Sequence, residues 1–155
     1  MNENHFLETW EIHNRVNLYV LEAIGPANLD SYSASKGRSV GEQFAHIHNV
    51  RLMWLKVAAP ELLKGLEKAK EEGSGDKKLL TKSLINSGKA IGKLLSKAIK
   101  TEGKIKGFKP HAMAFLGYLI SHESHHRGQI LLSLKQAGHP VDKKIAYGIW
   151  EWGVR

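Results

Sequence analysis

Three histidines lie within six residues in the stretch "SHESHHRGQ", at positions 122, 125 and 126. On a helix that turns by about 100° per residue, His122 and His126 lie about 40° apart and share a face with Leu119. Two neutral ring nitrogens at this i, i+4 spacing can bind one metal ion at about 2.0–2.1 Å. His125 lies about 100° from His126 and flanks this face. The spacing alone leaves two interpretations open, a metal site or two core histidines satisfied by hydrogen bonds.

A metal site needs at least one more ligand from a neighbouring helix, and "EQFAHIHNVRLMW" offers His46 and His48. These two side chains lie about 160° apart on a helix, so only one of them can face the site. His46 shares its face with Val50, and His48 shares its face with Phe44. Because both faces are largely apolar, periodicity does not choose between the two histidines.

The length and composition predict a single domain that spans residues 1–155. The chain has no cysteine, which excludes disulfides, thiolate ligands and a cysteine nucleophile of its own. The first residues, "MNENHFLETWEIHNR", are too polar for a signal peptide, and no apolar run approaches the roughly 18 residues that span a bilayer. We therefore expect a cytoplasmic protein with no membrane partner.

The net charge of +8 comes from one half of the chain. Between Lys56 and Lys109 there are fourteen lysines and six acidic residues, a difference of eight. This half contains no arginine and, apart from Phe108, no aromatic ring, whereas surfaces that bind nucleic acids usually combine lysine with arginine or stacking rings. The pattern favours a solvated lysine-rich helix face over a nucleic-acid partner.

The hydrophobic periodicity and its breaks predict four long helices. The second begins at Ser39, where "SVGE" has the form of a capping box closed by Glu42, and "EEGSGDKK" is a break before the third. The predicted helices run from about Asn4 to Ile24, from Ser39 to near Pro60, across Leu80–Ala98, and from Pro110 in a first turn to about Gly138. The sequence therefore predicts an all-α protein, a four-helix bundle with short additional helical segments.

The combination of "FAHIHNVRLMW" with "HESHHRGQILLSLKQAG" resembles the DinB-like (YfiT-type) metal-dependent four-helix-bundle family, from about Trp10 through "YGIWEW". The resemblance implies a divalent metal ion held by three histidines, usually in a homodimer. The ligand positions of the family fall on His46, His122 and His126. Imidazole ligands suit zinc, nickel, copper or iron, and the sequence does not choose among them; our expectation is zinc or nickel.

The family resemblance also implies a reaction. Some relatives are transferases or isomerases that use a low-molecular-weight thiol, so we expect a thiol S-transferase that acts on a small electrophile, with the thiol as co-substrate. Two alternatives are a non-enzymatic metal-stabilised helical bundle and, less favoured, a nucleic-acid-binding stress protein.

Glu123 and Arg127 are interpreted as a surface or interhelical ion pair and not as catalytic residues.

Small residues form a further stripe on the predicted fourth helix. Gly117, Ser121, Ser124 and Gly128 fall within about 60° of one another. Glycine weakens a solvent-exposed helix, so the stripe indicates close approach of another helix. That helix belongs either to the same chain or, as the family resemblance favours, to a second subunit of a homodimer.

Overall fold

The computed structural model describes residues 3–71 and 75–155 as helices joined by short loops. It confirms the all-α bundle class and the short additional helical segments. The helices are α1 (Glu3–Glu22), α2 (Val40–Ala58), α3 (Lys77–Lys100), α4 (Ala112–Gln136) and the short α5 (Lys143–Gly148), with 3-10 turns at Pro26–Asp30, Pro60–Leu63 and Trp152–Val154. Residues 72–74 of the predicted break "EEGSGDKK" lie outside the described residues.

Side-chain and backbone caps fix the ends of the helices that carry the histidines. The capping box at the start of α2 is confirmed: the Glu42 amide donates to Ser39 Oγ, and the Ser39 amide donates to the Glu42 carboxylate. At the end of α4, Gly138 adopts a φ of 83°. This left-handed conformation lets the His139 amide donate to the Leu134 carbonyl oxygen, which terminates the helix as the sequence predicts.

The predicted start of α4 is wrong by two residues. Pro110 does not occupy the first turn, because the helix begins at Ala112 and His111 is its N-cap. The Nδ1 atom of His111 accepts a hydrogen bond from the Ala114 amide at 3.1 Å. The imidazole thus satisfies one of the free amides that open a helix, a role usually taken by a short oxygen-bearing side chain.

Two apolar clusters fill the bundle, one toward each end. One is centred on Trp10, Leu95 and Phe115, and the other on Val20 and Ile130, with their neighbours. Along each of the four long helices, buried polar residues separate the two clusters. None of the described helices combines the length and apolarity that a membrane span requires.

The centre of this polar layer is an ion pair between α2 and α4. Arg51 Nε and Nη2 each donate to a different oxygen of the Glu123 carboxylate, both at 2.7 Å, and both side chains are at most 1% exposed. His13 Nε2 and Asn17 Nδ2 from α1 also donate to Glu123 Oε2, at 2.8 and 2.7 Å. Arg51 Nη1 also donates to the Leu84 carbonyl oxygen on α3, so all four long helices contribute to this hydrogen-bond network.

This network corrects the sequence interpretation of Glu123 and Arg127. The salt-bridge partner of Glu123 is Arg51, and both Glu123 and Arg127 are buried. Arg127 instead donates to Asn17 Oδ1 at 2.6 Å and to Ser124 Oγ at 2.9 Å. Burial alone would raise the pKa of the Glu123 carboxyl, but the charge and hydrogen bonds of Arg51 hold it far below its usual value.

Replacing Arg51 with methionine should destabilise the protein by about 3–5 kcal/mol, because the Glu123 charge would be left buried without its partner. Adding Glu123→Leu should restore much of this loss, since the double variant buries no unpaired charge. Urea unfolding curves measure both changes. The control is Lys97→Met, which breaks the exposed Lys97–Glu61 pair and should change the stability very little, because solvent screens that pair. A loss in Arg51→Met as small as that of the control would contradict the central role of the pair.

Candidate metal centre

The packing of α2 against α4 brings three histidines together. One ring nitrogen of each of His46, His122 and His126 lies within 4.8 Å of the others. The Nε2 atoms of His122 and His126 are 3.2 Å apart, and the ring centroids of His46 and His126 are 4.7 Å apart. These are the three residues that the sequence resemblance singled out.

The structure places His48 away from this cluster. His48 is 1% exposed and its Nε2 donates to the carbonyl oxygen of Glu67 at 2.8 Å. On the same side of α2, Phe44 and Leu55 are fully buried. The opposite face, which carries His46, continues to Met53, and that side chain is 51% exposed. The His48 face therefore packs into the core, while the His46 face reaches the edge of the bundle.

A hydrogen-bond chain orients His126. Its Nδ1 donates to Gln43 Oε1 at 2.6 Å, and because a carbonyl oxygen only accepts, the proton lies on Nδ1 and Nε2 keeps its lone pair, which faces His122 Nε2. Gln43 Nε2 donates in turn to Gln129 Oε1 at 2.9 Å, and Gln129 Nε2 donates to His125 Nε2 at 3.0 Å. His125 is exposed and ends the chain at the surface, so it lies outside the cluster.

His122 contacts His126 within the cluster. Its Nδ1 is buried and has no hydrogen-bond partner within the described residues. Its Nε2 lies 3.2 Å from His126 Nε2 and, because the proton of His126 is on Nδ1, can donate a hydrogen bond to that atom.

A carboxylate lies beside His46. Glu71 Oε2 is 3.7 Å from His46 Nδ1, and Asn49 Nδ2 donates to Glu71 Oε1 at 2.8 Å. Arg38 Nε is 3.5 Å from the same carboxylate. Burial alone would raise the pKa of Glu71, but the hydrogen bond from Asn49, the charge that His46 carries in acid and the charges of Arg38 and Lys68 hold it below its usual value. Glu71 therefore carries a negative charge next to the histidine cluster at neutral pH.

The three clustered histidines are neutral at pH 7. Burial and the neighbouring His122 and His46 lower the pKa of His126 to about 4. Burial also lowers the pKa of His46, where Arg38 adds to the effect, and that of His122. A divalent ion needs neutral imidazoles as ligands, and this donor set suits zinc, nickel, copper or iron. The residues present therefore fit a divalent metal ion.

Comparison with known proteins gives the family. The DinB family model matches residues 1–147. The chain belongs to the DinB family. A crystal structure of a DinB-like protein from Bacillus cereus ATCC 10987 has 23% sequence identity and a TM-score of 0.64, covering 88% of this chain and 93% of that one. No curated protein matches the sequence. At this identity the solved structure shows a shared fold.

A cleft adjoins the histidine cluster in this DinB-family chain. Its volume is about 530 Å³, within the range typical of small-molecule sites. It is lined by His46, Asn49, Val50, Leu52, Met53, Lys56, Leu63, Leu66, Lys68 and Glu71. Within the described residues, no fourth histidine or carboxylate joins the three clustered histidines as a possible ligand. A metal ion held there would keep at least one position for a small molecule.

Sequence reasoning missed three members of this site. Gln43 appears in the sequence only as a neighbour of His46 on α2, and its partner on α4 is eighty-three residues away. Gln129 continues the same chain across the helix interface. Glu71 lies in the segment before α3, and no periodic signal connects it to His46. Each of these contacts depends on tertiary packing, which spacing along one helix does not reveal.

Zinc binding at pH 6 should release fewer than two protons per ion, because the pKa of each of the three imidazoles lies below its usual value and that of His126 is about 4. Histidines with an unshifted pKa near 6.5 would together release roughly two protons at that pH. Calorimetric titrations in buffers of different ionisation enthalpy measure this number. A release of about two protons would contradict the lowered pKa values.

Proposed function

We propose that this DinB-family protein is a metal-dependent transferase that joins a low-molecular-weight thiol to a small electrophile. The observation that supports the proposal is a set of three neutral imidazoles, without a fourth protein ligand among the described residues, at the end of a largely apolar cleft. A site that only stabilised the fold would be expected to close its fourth position with a protein side chain.

His46, His122 and His126 would hold the divalent ion, with zinc or nickel as the metal. When bound, the ion supplies positive charge that lowers the pKa of an incoming thiol, so that the thiol reacts as its thiolate. Because the chain has no cysteine, the sulfur nucleophile arrives with the co-substrate.

The residues around the cluster have separate tasks. Gln43 holds the proton of His126 on Nδ1, which keeps Nε2 available as a ligand atom. The Glu71 carboxylate, held by Asn49, places a negative charge beside His46 and favours a cation at the cluster. The apolar cleft binds the body of the electrophile and excludes water from it.

The proposed reaction is a nucleophilic substitution. The thiol loses its proton to solvent, its sulfur forms a bond to a carbon atom of the electrophile, and the electron pair of the broken bond departs with the leaving group. The protein's contribution is to bring sulfur and carbon together and to favour the thiolate.

Purified protein without a histidine tag should contain close to one divalent ion per chain. His46→Ala, His122→Ala and His126→Ala should each empty the site, because two imidazoles bind the ion much more weakly than three. His48→Ala and His125→Ala are matched controls that should retain the metal. Inductively coupled plasma mass spectrometry measures the content. Loss of metal in His48→Ala but not in His46→Ala would contradict the assignment of the ligand on α2.

The metal-loaded protein should accelerate conjugation of a cellular thiol with a small electrophile, and chelation should abolish the acceleration. Gln43→Leu should weaken metal binding roughly 10- to 100-fold, because the Nδ1 partner of His126 is lost. Thiol consumption and metal competition assays measure the two effects. A wide panel of thiols and electrophiles without any metal-dependent rate would favour the non-enzymatic metal-stabilised bundle instead.

We further propose that the protein forms a homodimer through α4. A Cβ atom built on Gly117 or Gly128 meets nothing within 4 Å among the described residues, so the alternative that a helix of the same chain packs on these glycines is not supported. Met113 and Leu132 on the same side are 41% and 48% exposed. A two-fold axis would set this small and apolar face against its copy.

The double variant Gly117→Leu, Gly128→Leu should give folded monomers that still bind metal. Leucine would block the close approach of two α4 helices, whereas its Cβ atom meets nothing within 4 Å among the described residues. Sedimentation velocity and metal analysis measure both properties. A variant that remains dimeric would place the dimer interface on another surface.

A further inference from the structure

The cleft beside His46 runs along one face of α2. His46, Asn49, Val50, Met53 and Lys56 recur at three- and four-residue spacing and all line it. His46 and Lys56 are ten residues apart on the helix, which corresponds to a distance of about 15 Å along the helix axis. The cleft is therefore elongated, with the histidine cluster at one end and Lys56 at the other.

The walls between these two ends are apolar except for Asn49 and Lys68. Val50, Leu52 and Met53 come from α2, and Leu63 and Leu66 come from the segment that follows it. No charged side chain of α2 interrupts the face between His46 and Lys56. Such a surface favours an apolar body that extends along the helix.

Two lysines supply positive charge at the walls. Lys56 is exposed at the last turn of α2, and Lys68 is exposed on the opposite wall. Among the described residues neither forms a salt bridge, although Lys68 lies close enough to Glu71 to help lower its pKa. The charge of Glu71 is already met by Asn49 and Arg38 at the His46 end. At the end of the cleft remote from His46, Lys56 can therefore pair with an anionic group of a ligand.

We propose that the substrate of this site is an elongated amphiphilic carboxylate, in which an apolar body lies along α2 and the acid group binds Lys56 at the end remote from the histidine cluster. This inference rests on the proposed transferase function, because it names the class of electrophile. The reactive carbon then lies at the end of the body nearest His46. A neutral or short electrophile uses only part of the cleft and binds more weakly.

Calorimetric titration of the metal-free, full-length protein with straight-chain alkanoates of four to twelve carbons tests this substrate class without any catalytic step. Affinity should rise roughly fourfold for each added methylene until the cleft is filled, since each buried methylene contributes a similar increment. Octanoate should bind more tightly than 1-octanol, which has the same chain length but no charge. Equal affinity of the acid and the alcohol, or no dependence on chain length, would overturn the proposal.

Variants locate the two ends of the ligand. Lys56→Met should remove the preference for octanoate over octanol and leave octanol binding unchanged, whereas Lys93→Met, at an exposed lysine of α3 that does not line the cleft, should keep the preference. Val50→Trp should fill the cleft and abolish binding of both compounds, with its thermal unfolding showing that the protein is folded. Retention of the octanoate preference in Lys56→Met, or of binding in folded Val50→Trp, would overturn the proposal.

His122→Ala separates this inference from the proposed function, because His122 does not line the cleft. Loss of metal with retained alkanoate binding supports both. Retained metal in that variant contradicts the proposed metal centre and leaves the ligand class of the cleft supported. Metal binding by the native protein without any alkanoate binding overturns the ligand class alone.

Discussion

The buried pair of Arg51 and Glu123 sets the position of α2 against α4, and the geometry of the histidine cluster depends on it. Glu123 directly follows His122 on α4, and Arg51 lies five residues after His46 on α2. A bidentate pair between a guanidinium and a carboxylate has a narrow range of geometries, and in a buried layer the loss of either hydrogen bond is costly. A shift of one helix along the other would break this pair before it separated the histidines.

Helix α4 thus carries two polar sites of different character on adjacent faces. The Glu123 carboxylate accepts hydrogen bonds from Arg51, His13 and Asn17, and it is closed to solvent. The histidine cluster on the next face has an unprotonated Nε2 on His126, a buried Nδ1 on His122 that is unpaired within the described residues, and an adjoining cleft. The closed network suits a structural role, and the cluster is the part of the molecule with unused binding capacity.

Local patterns in the sequence predicted the helices and the pairing of His122 with His126, because both follow from periodicity along a single element. The choice between His46 and His48 did not follow, since both faces of α2 are largely apolar. Tertiary contacts separate the two: His48 donates to the Glu67 carbonyl oxygen, and His46 lies with His122 and His126. The partner of Glu123 was also missed, because its contact with Arg51 joins two helices and leaves no pattern along either one. Arg127, one turn away, is a plausible partner by spacing, but the bundle buries Arg51 from another helix against the carboxylate.

X-ray absorption spectroscopy of the metal-loaded protein, with and without a low-molecular-weight thiol, tests the open three-histidine centre most directly. We predict three imidazole nitrogens at about 2.0–2.1 Å and one exchangeable light ligand, which a sulfur at about 2.3 Å replaces when the thiol is added. A shell already closed by a fourth protein ligand and unchanged by the thiol would contradict the proposed transferase centre.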